Sequence, residues 1–170
     1  MNVHAVSSQE RETLPTFDSA QLAAANINPA TGLATDYLNH FNEPIMILEL
    51  VPACIDDLME WRVKSYREHF LATHQKHRDL VLAAYEFANA HAKHALDELT
   101  ETMDSILTAT RDALRLDLSP AVATALAQEA GAQLKPLVAR AGAVINGLTG
   151  TREGALPSAP QAAVDALMER

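Results

Sequence analysis

One stretch decides the fold of this 170-residue chain: residues 77–116 read HRDLVLAAYEFANAHAKHALDELTETMDSILTATRDALRL. Within it, apolar and small side chains recur at alternating spacings of four and three residues, which is the period of one face of an α-helix. This apolar stripe comprises Val81, Tyr85, Ala88, Ala92, Ala95, Leu99, Met103, Ile106, Thr110 and Ala113. The pattern predicts a helical element of about 40 residues, which at 1.5 Å per residue would be roughly 60 Å long. This exceeds what a compact domain of this mass needs, so we expect the helix to kink, to overhang its domain or to pack against another chain.

The rest of the chain also favours helices. No glycine occurs between Gly32 and Gly131, and aromatic residues make up only 5% of the sequence. Strand-rich folds need frequent turns and many aromatic or β-branched side chains, whereas alanine, the commonest residue here, has the highest helix propensity. We therefore predict an all-α fold, a helical bundle of about four to five helices with one long central helix.

Composition divides the chain into three parts. Residues 1–16 are predicted to be a flexible N-terminal arm, residues 17–148 a single helical-bundle domain, and residues 149–170 a linker with a short C-terminal helix. Inside the domain, Pro44 is expected to kink its helix or to start a new segment, and Pro136 is expected to bend the helix in which it lies.

Helix starts are marked by residues whose side chains accept hydrogen bonds from the first helical turn. Asp18 is expected to cap a short first helix. Ser65 is followed three residues later by Glu68, the spacing of a capping box, and Ser119 is followed by Pro120, which suits the first helical position.

Charge and cysteine content exclude several classes of function. Thirteen basic residues against 22 acidic ones give a formal net charge of −9, which repels nucleic-acid phosphates and anionic lipid headgroups. Charged and polar residues interrupt every long apolar stretch, so no membrane span is expected. The single cysteine, Cys54, cannot form an internal disulfide, and the N-terminus lacks the pattern of a secretory signal. We expect a cytoplasmic protein that does not bind nucleic acid.

The charges are unevenly distributed. Between Arg11 and Arg62 there is no lysine or arginine, whereas residues 62–78 contain five basic side chains and three histidines. Two interpretations stay open. The acidic and basic segments face each other as neighbours, or one of them steers a charged ligand or partner towards the protein.

Histidines occur in two pairs with the same spacing. His74 with His77, and His91 with His94, lie at i and i+3, which places both imidazoles of a pair on one helix face within reach of one metal ion. Glu98 follows His94 by four residues, and Glu43 follows His40 by three, so each carboxylate shares a helix face with a histidine. Together they give a candidate metal or ligand site. That site comprises His40, Glu43, His91, His94 and Glu98.

Known catalytic patterns are missing from the sequence. It contains no Glu-x-x-His and no His-Glu-x-x-His, the patterns of di-iron bundles and zinc proteases, and no glycine-rich phosphate loop or Gly-x-Ser-x-Gly. We therefore predict no catalytic residue and name no cofactor. Helix-surface histidines and pH-sensitive interface histidines remain the alternatives to a metal site.

A second candidate patch combines aromatic and basic residues. Trp61, Tyr66 and Phe70 lie within ten residues of one another, together with Arg62 and Arg67. Such a patch binds planar or anionic ligands by stacking and bidentate contacts. The alternative is that these aromatic side chains anchor a helix corner in the core.

The predicted function follows from the surplus length of the long helix. A helix longer than its own domain exposes apolar surface, which another chain usually covers. We predict a non-enzymatic adaptor or regulatory protein that self-associates, preferentially as a dimer, or binds another protein. The expected interface residues are Val81, Tyr85, Ala88, Leu99, Met103 and Ile106. A metal- or cofactor-binding bundle is the alternative, and the acidic, alanine-rich composition loosely suggests the coat of a hydrophobic inclusion.

Overall fold

The computed structural model describes residues 17–73 and 76–148. The predicted N-terminal arm, the C-terminal linker and helix, and His74 lie outside these residues. The described residues form α-helices and one 3-10 turn, Thr35–Leu38, with a single isolated bridge between Ile27 and Ala34. The prediction of an all-α fold is confirmed.

Seven α-helices occur within the described residues, more than the four to five expected, because the chain before residue 90 turns often. Their bounds are α1 Ser19–Ala24, α2 Asn39–Glu49, α3 Ile55–Glu60, α4 Tyr66–Ala72, α5 Arg78–Glu86, α6 Ala90–Leu114 and α7 Pro120–Ile145. None of these helices is long and apolar enough to cross a membrane.

The two long helices, α6 with 25 residues and α7 with 26, form an antiparallel hairpin. Ile106 shares a groove with Leu126, whereas Leu99 shares the next groove with Leu137. Residue numbers on one helix therefore fall as those on the other rise. The short connection between the helices dictates this arrangement, since it is too short to return the chain to the opposite end.

Helix α2 packs against another side of α7. Leu38 approaches α7 at Gly142, and Lys135 Nζ lies 2.8 Å from Glu49 Oε1. These contacts show that α2 also runs antiparallel to α7. Helix α7 is thus the element on which both α2 and α6 pack, and Leu134, fully buried in its middle, lies at the centre of the core.

The helix expected over residues 77–116 is not continuous. The chain leaves the helical path at Phe87, and α6 begins after Asn89, whose side chain accepts a hydrogen bond from the Ala92 N–H at 3.1 Å. An asparagine that caps a new helix competes with continuation of the preceding one. The predicted helical element is therefore divided by a break, and two helices, α5 and α6, take its place.

A tertiary contact reinforces the break. The backbone N–H of Asn89 donates to the carbonyl of Thr31 at 2.9 Å. Beside this bond, Gly32 adopts φ +72°, and a Cβ at Gly32 would lie 2.9 Å from the Cα of Ala88. Only glycine combines this backbone conformation with so close an approach, so the loop before α2 wedges into the junction of α5 and α6.

The predicted helix starts are confirmed. Asp18, Ser65 and Ser119 each accept a hydrogen bond from a backbone N–H of the first turn. Ser65 and Glu68 make the reciprocal bonds of a capping box, and Pro120 occupies the start of α7.

Two prolines lie inside helices without ending them. Pro44 is in α2 and Pro136 is in α7, and both helices continue through the proline. Proline lacks the backbone N–H, so each helix loses one internal hydrogen bond at that point. Pro44 is buried in the core, whereas Pro136 is exposed to solvent.

The apolar stripe faces the interior of the chain itself. Of the residues expected at an interface, Val81, Ala88, Leu99 and Met103 are buried, and Tyr85 and Ile106 are partly buried against the same core. The break shortens α6 to 25 residues, and α7, with 26 residues, is long enough to pack along it. Helix α6 is therefore not longer than the helix on which it packs. The reason for placing an interface on this stripe therefore does not hold.

Candidate functional site

The predicted metal shell does not assemble. His40 is buried in the first turn of α2, whereas His91, His94 and Glu98 are exposed on α6. His94 Nε2 lies 3.4 Å from Glu98 Oε1, a solvent-exposed pair within one helix. Across residues 17–73 and 76–148, no three histidine, cysteine, aspartate or glutamate side chains come close enough together to hold a metal ion.

The structure does assemble an aromatic cluster from four parts of the chain. Its members are Tyr37, His40, Phe41, Trp61, Tyr66, His69, Phe70 and Tyr85. The rings of His40 and Trp61 stack with centroids 4.8 Å apart, and those of Tyr66 and Tyr85 stack at 4.5 Å. The predicted aromatic patch is thus buried as a helix-corner anchor, with Phe70 fully inaccessible to solvent.

This cluster holds the segment of residues 61–65, which connects α3 to α4. The Lys64 N–H donates to His40 Nε2 at 2.9 Å, and the Tyr37 hydroxyl donates to the Lys64 carbonyl at 2.9 Å. Arg111 on α6 donates to the Trp61 carbonyl at 2.9 Å. Side chains from three separate elements therefore satisfy the backbone of this segment and fix its position.

Burial sets the protonation states inside the aromatic cluster. The pKa of His40 is lowered to about 4, chiefly by burial and in addition by the positive charges of the neighbouring His69 and Lys64. His40 is therefore neutral, and since Nε2 accepts a hydrogen bond, Nδ1 carries the proton. Burial likewise raises the pKa of the Tyr37 hydroxyl to about 12, so that group is also neutral.

A cleft of 680 Å³ opens beside the aromatic cluster, between α2, α3 and the 61–65 segment. We call it the α2–α3 cleft. Its apolar lining consists of Met46, Ile47, Leu50 and Trp61. Its polar lining consists of His40, Glu43, Asp57, Glu60, Arg62 and Lys64. The cleft thus combines an apolar floor with a charged rim.

The floor is built mainly by one face of α2. Met46, Ile47 and Leu50 follow the rim residue Glu43 at i+3, i+4 and i+7, the spacing that aligns side chains along one side of a helix. Met46 is 64% exposed and Leu50 is 57% exposed. Single exposed apolar side chains are common on protein surfaces, but two neighbouring ones in a concave site mark a surface suited to binding.

The rim is mainly acidic. Among the described residues, the carboxylates of Glu43, Asp57 and Glu60 form no salt bridge. Arg62, in contrast, directs its guanidinium group to the Trp61 carbonyl at 2.7 Å. The cleft therefore has three carboxylates against the two cations Arg62 and Lys64, a small excess of negative charge beside the apolar floor.

Sequence reasoning found this site only in part. His40 and Glu43 of the predicted ligand site do line the cleft, but Met46, Leu50 and Asp57 were not expected there. Leu48 and Leu50 are both apolar, but Leu48 is buried and Leu50 is exposed. Side chains two residues apart lie about 200° apart around a helix, so this spacing was the signal that the two leucines face different ways.

The described part of the chain defines an all-α protein with an exposed, acidic-rimmed apolar cleft. Comparison with protein-family models, with curated proteins and with solved structures gives no match for the chain. Function is therefore inferred from the chemistry of the cleft.

Proposed function

We propose that this protein is a non-enzymatic adaptor or regulatory protein of the cytoplasm that binds another protein chain through the α2–α3 cleft. The observation that carries the proposal is the pair of exposed side chains, Met46 and Leu50, on the floor of the cleft. Covering apolar surface is favourable by about 25 cal/mol per Å². An apolar centre with a polar rim is also the usual anatomy of a protein–protein interface.

The shape of the floor favours a protein over a small molecule. The cleft volume falls within the range of small-molecule sites, but such sites enclose their ligand and bury most of its surface. Here Met46 and Leu50 project largely into solvent, so they present a surface rather than walls of a chamber. Methionine is flexible and polarisable, which lets a surface adapt to the side chains of a partner.

Self-association is the homo-oligomeric form of the same proposal. A second copy that covered Met46 and Leu50 would bury the same surface as a foreign partner. The interface would then lie on α2 and α3 rather than on the apolar stripe, which the chain buries itself.

A charge-insertion experiment tests the proposal. The double substitution Met46→Glu with Leu50→Glu should abolish partner binding or dimer formation, because it places charge on the surface that must lose water. The measurement is quantitative affinity capture from cells that express the protein, together with sedimentation of the purified chain. Circular dichroism verifies that the variant remains helical.

Leu71→Glu supplies the matched control. Leu71 lies on α4, outside the cleft, and its exposure of 56% is close to that of Leu50. It should retain the partner or the dimer at the wild-type level. If the wild type, the double variant and this control share one interaction profile, the cleft is not the binding surface.

A further inference from the structure

We infer that the α2–α3 cleft binds a basic amphipathic helix, a segment of a partner protein in which apolar anchors are flanked by lysine or arginine. This inference rests on the proposed function and specifies the chemistry of the partner. It combines two observations, the length and direction of the apolar floor and the charge of its rim.

The floor can contact one face of a helix. From Met46 to Leu50 it follows about one turn of α2, a length of roughly 6 Å, and Trp61 adds apolar surface beside it. A partner helix that lies along this floor can place two apolar side chains, one turn apart, beside Met46 and Leu50. Helix-in-groove recognition uses anchors at this spacing.

The rim selects the charge of the partner. Glu43 belongs to α2, whereas Asp57 and Glu60 belong to α3, so both helices that border the floor contribute carboxylates. All three side chains are exposed. By contrast, Glu49 on α2 is already paired with Lys135. The rim carboxylates therefore complement lysine or arginine side chains at the edges of an apolar helix face.

The two cations of the cleft set the direction of the bound helix. Arg62 and Lys64 both lie on the 61–65 segment, so the positive charge is confined to one border of the cleft. A helix carries partial negative charge at its C-terminus. The bound helix should point its C-terminal end towards these two residues and its basic side chains towards the carboxylates.

The test uses a synthetic amphipathic helix of about four turns, built from leucine and lysine, and a leucine–glutamate peptide of the same pattern. Trp61 is the only tryptophan of the chain and lines the cleft, so its fluorescence reports occupancy directly. The leucine–lysine peptide should bind at least about tenfold more tightly than the leucine–glutamate peptide. Equal affinities would overturn the inference.

Two pairs of substitutions distinguish attraction by the carboxylates of the cleft from attraction by the overall negative charge of the protein. Glu43→Gln with Asp57→Asn should weaken binding of the leucine–lysine peptide by about tenfold. Glu101→Gln with Asp117→Asn removes the same charge from exposed positions on α6 and after it, and should leave the affinity unchanged. If both pairs weaken binding equally, the attraction is non-specific and the inference fails.

The outcomes also distinguish this inference from the proposed function. If the basic peptide does not bind, but Met46→Glu with Leu50→Glu still abolishes partner capture, the cleft is a binding surface for a partner of different chemistry. If the purified protein sediments as a dimer that the double variant dissociates, the occupant is a second copy, and the inference of a basic foreign helix is overturned. If the double variant changes neither capture nor sedimentation nor peptide binding, both proposals fail.

Discussion

At the scale of single residues, His40 illustrates how burial controls chemistry. Its ring stacks on Trp61, and Nε2 accepts the N–H of Lys64, so a proton added at Nε2 would face another donor. The ring of His69 lies 5.5 Å from that of His40, and the positive charges of His69 and Lys64 both lower the pKa of His40. The carboxylate of Asp36 has the opposite effect, but on the pKa of His69. Neutral His40 is therefore a condition for the hydrogen bond from the Lys64 N–H, one of the three that hold the 61–65 segment.

The lowered pKa of His40 predicts a loss of stability in acid. The folded-state pKa is about 4 and the ordinary value is 6.5, so the unfolded chain takes up a proton first as the pH falls. The stabilisation is complete above pH 6.5, declines between pH 6.5 and 4, and is absent below that range. It amounts to about 3 kcal/mol, and the lowered pKa of His69 acts in the same direction.

Urea unfolding at pH 7, 5.5 and 4 measures this dependence, with His40→Gln as the comparison. Glutamine does not titrate, so the slope of unfolding free energy against pH should be smaller in the variant. Parallel curves for the two proteins would show that His40 is not the group responsible.

Gly32 predicts a second effect at the residue scale. Gly32→Ala should destabilise the protein by about 2–3 kcal/mol, because it combines backbone strain at positive φ with a clash against Ala88. Gly147→Ala is the control, since Gly147 has the same φ of +72° but its nearest neighbour would be 3.6 Å from the new Cβ. Denaturant unfolding should show a clearly smaller loss for the control. Equal losses would mean that the approach to Ala88 costs nothing.

At the scale of elements, the junction of α5 and α6 combines a local and a tertiary cause. The Asn89 side chain caps α6, and its backbone N–H binds Thr31. The local pattern of apolar residues runs through this junction without interruption, which is why periodicity alone predicts one helix. The helix breaks nevertheless, because the Asn89 side chain caps α6 and the loop with Thr31 and Gly32 packs into the junction.

Replacing the cap tests which cause dominates. Asn89→Ala should cost about 1 kcal/mol through loss of the hydrogen bond to Ala92. It should not fuse α5 with α6, because Gly32 still occupies the junction. Asn42→Ala, an exposed position inside α2, is the control and should be neutral or slightly stabilising. A gain in helical circular dichroism for Asn89→Ala would show that the cap alone separates the two helices.

At the scale of the whole molecule, α7 organises the core. Gly131 and Lys135 lie on the side that meets α2, whereas Ala130 and Leu137 lie on the side that meets α6. Leu134 is fully buried between these two sides. The packing of α2 and α6 therefore depends on one helix, and through α2 so does the position of the cleft.

Truncating Leu134 should therefore destabilise the entire fold. Leu134→Ala is expected to cost about 2–5 kcal/mol by creating a cavity. Leu137→Ala, at a partly exposed position, should cost less. Thermal unfolding followed by circular dichroism and by Trp61 fluorescence should give one shared transition. Separate transitions for the two signals would show that the region around the cleft unfolds independently of α7.

The sequence by itself determined the all-α class and the starts of α1, α4 and α7. These features depend on helix propensity and on hydrogen bonds between residues two or three positions apart, as in the capping box of Ser65 and Glu68. Such contacts form within one turn, so their pattern is visible in the order of the residues.

Only the tertiary structure decided where the long helix breaks and which surface is left for binding. Gly32 meets Ala88, and Arg111 meets Trp61, across separations that local patterns do not encode. Leu48 is buried and Leu50 is exposed because α7 covers only one side of α2. The α2–α3 cleft arises from the packing of separate helices, and its apolar floor and acidic rim become adjacent only in the folded chain.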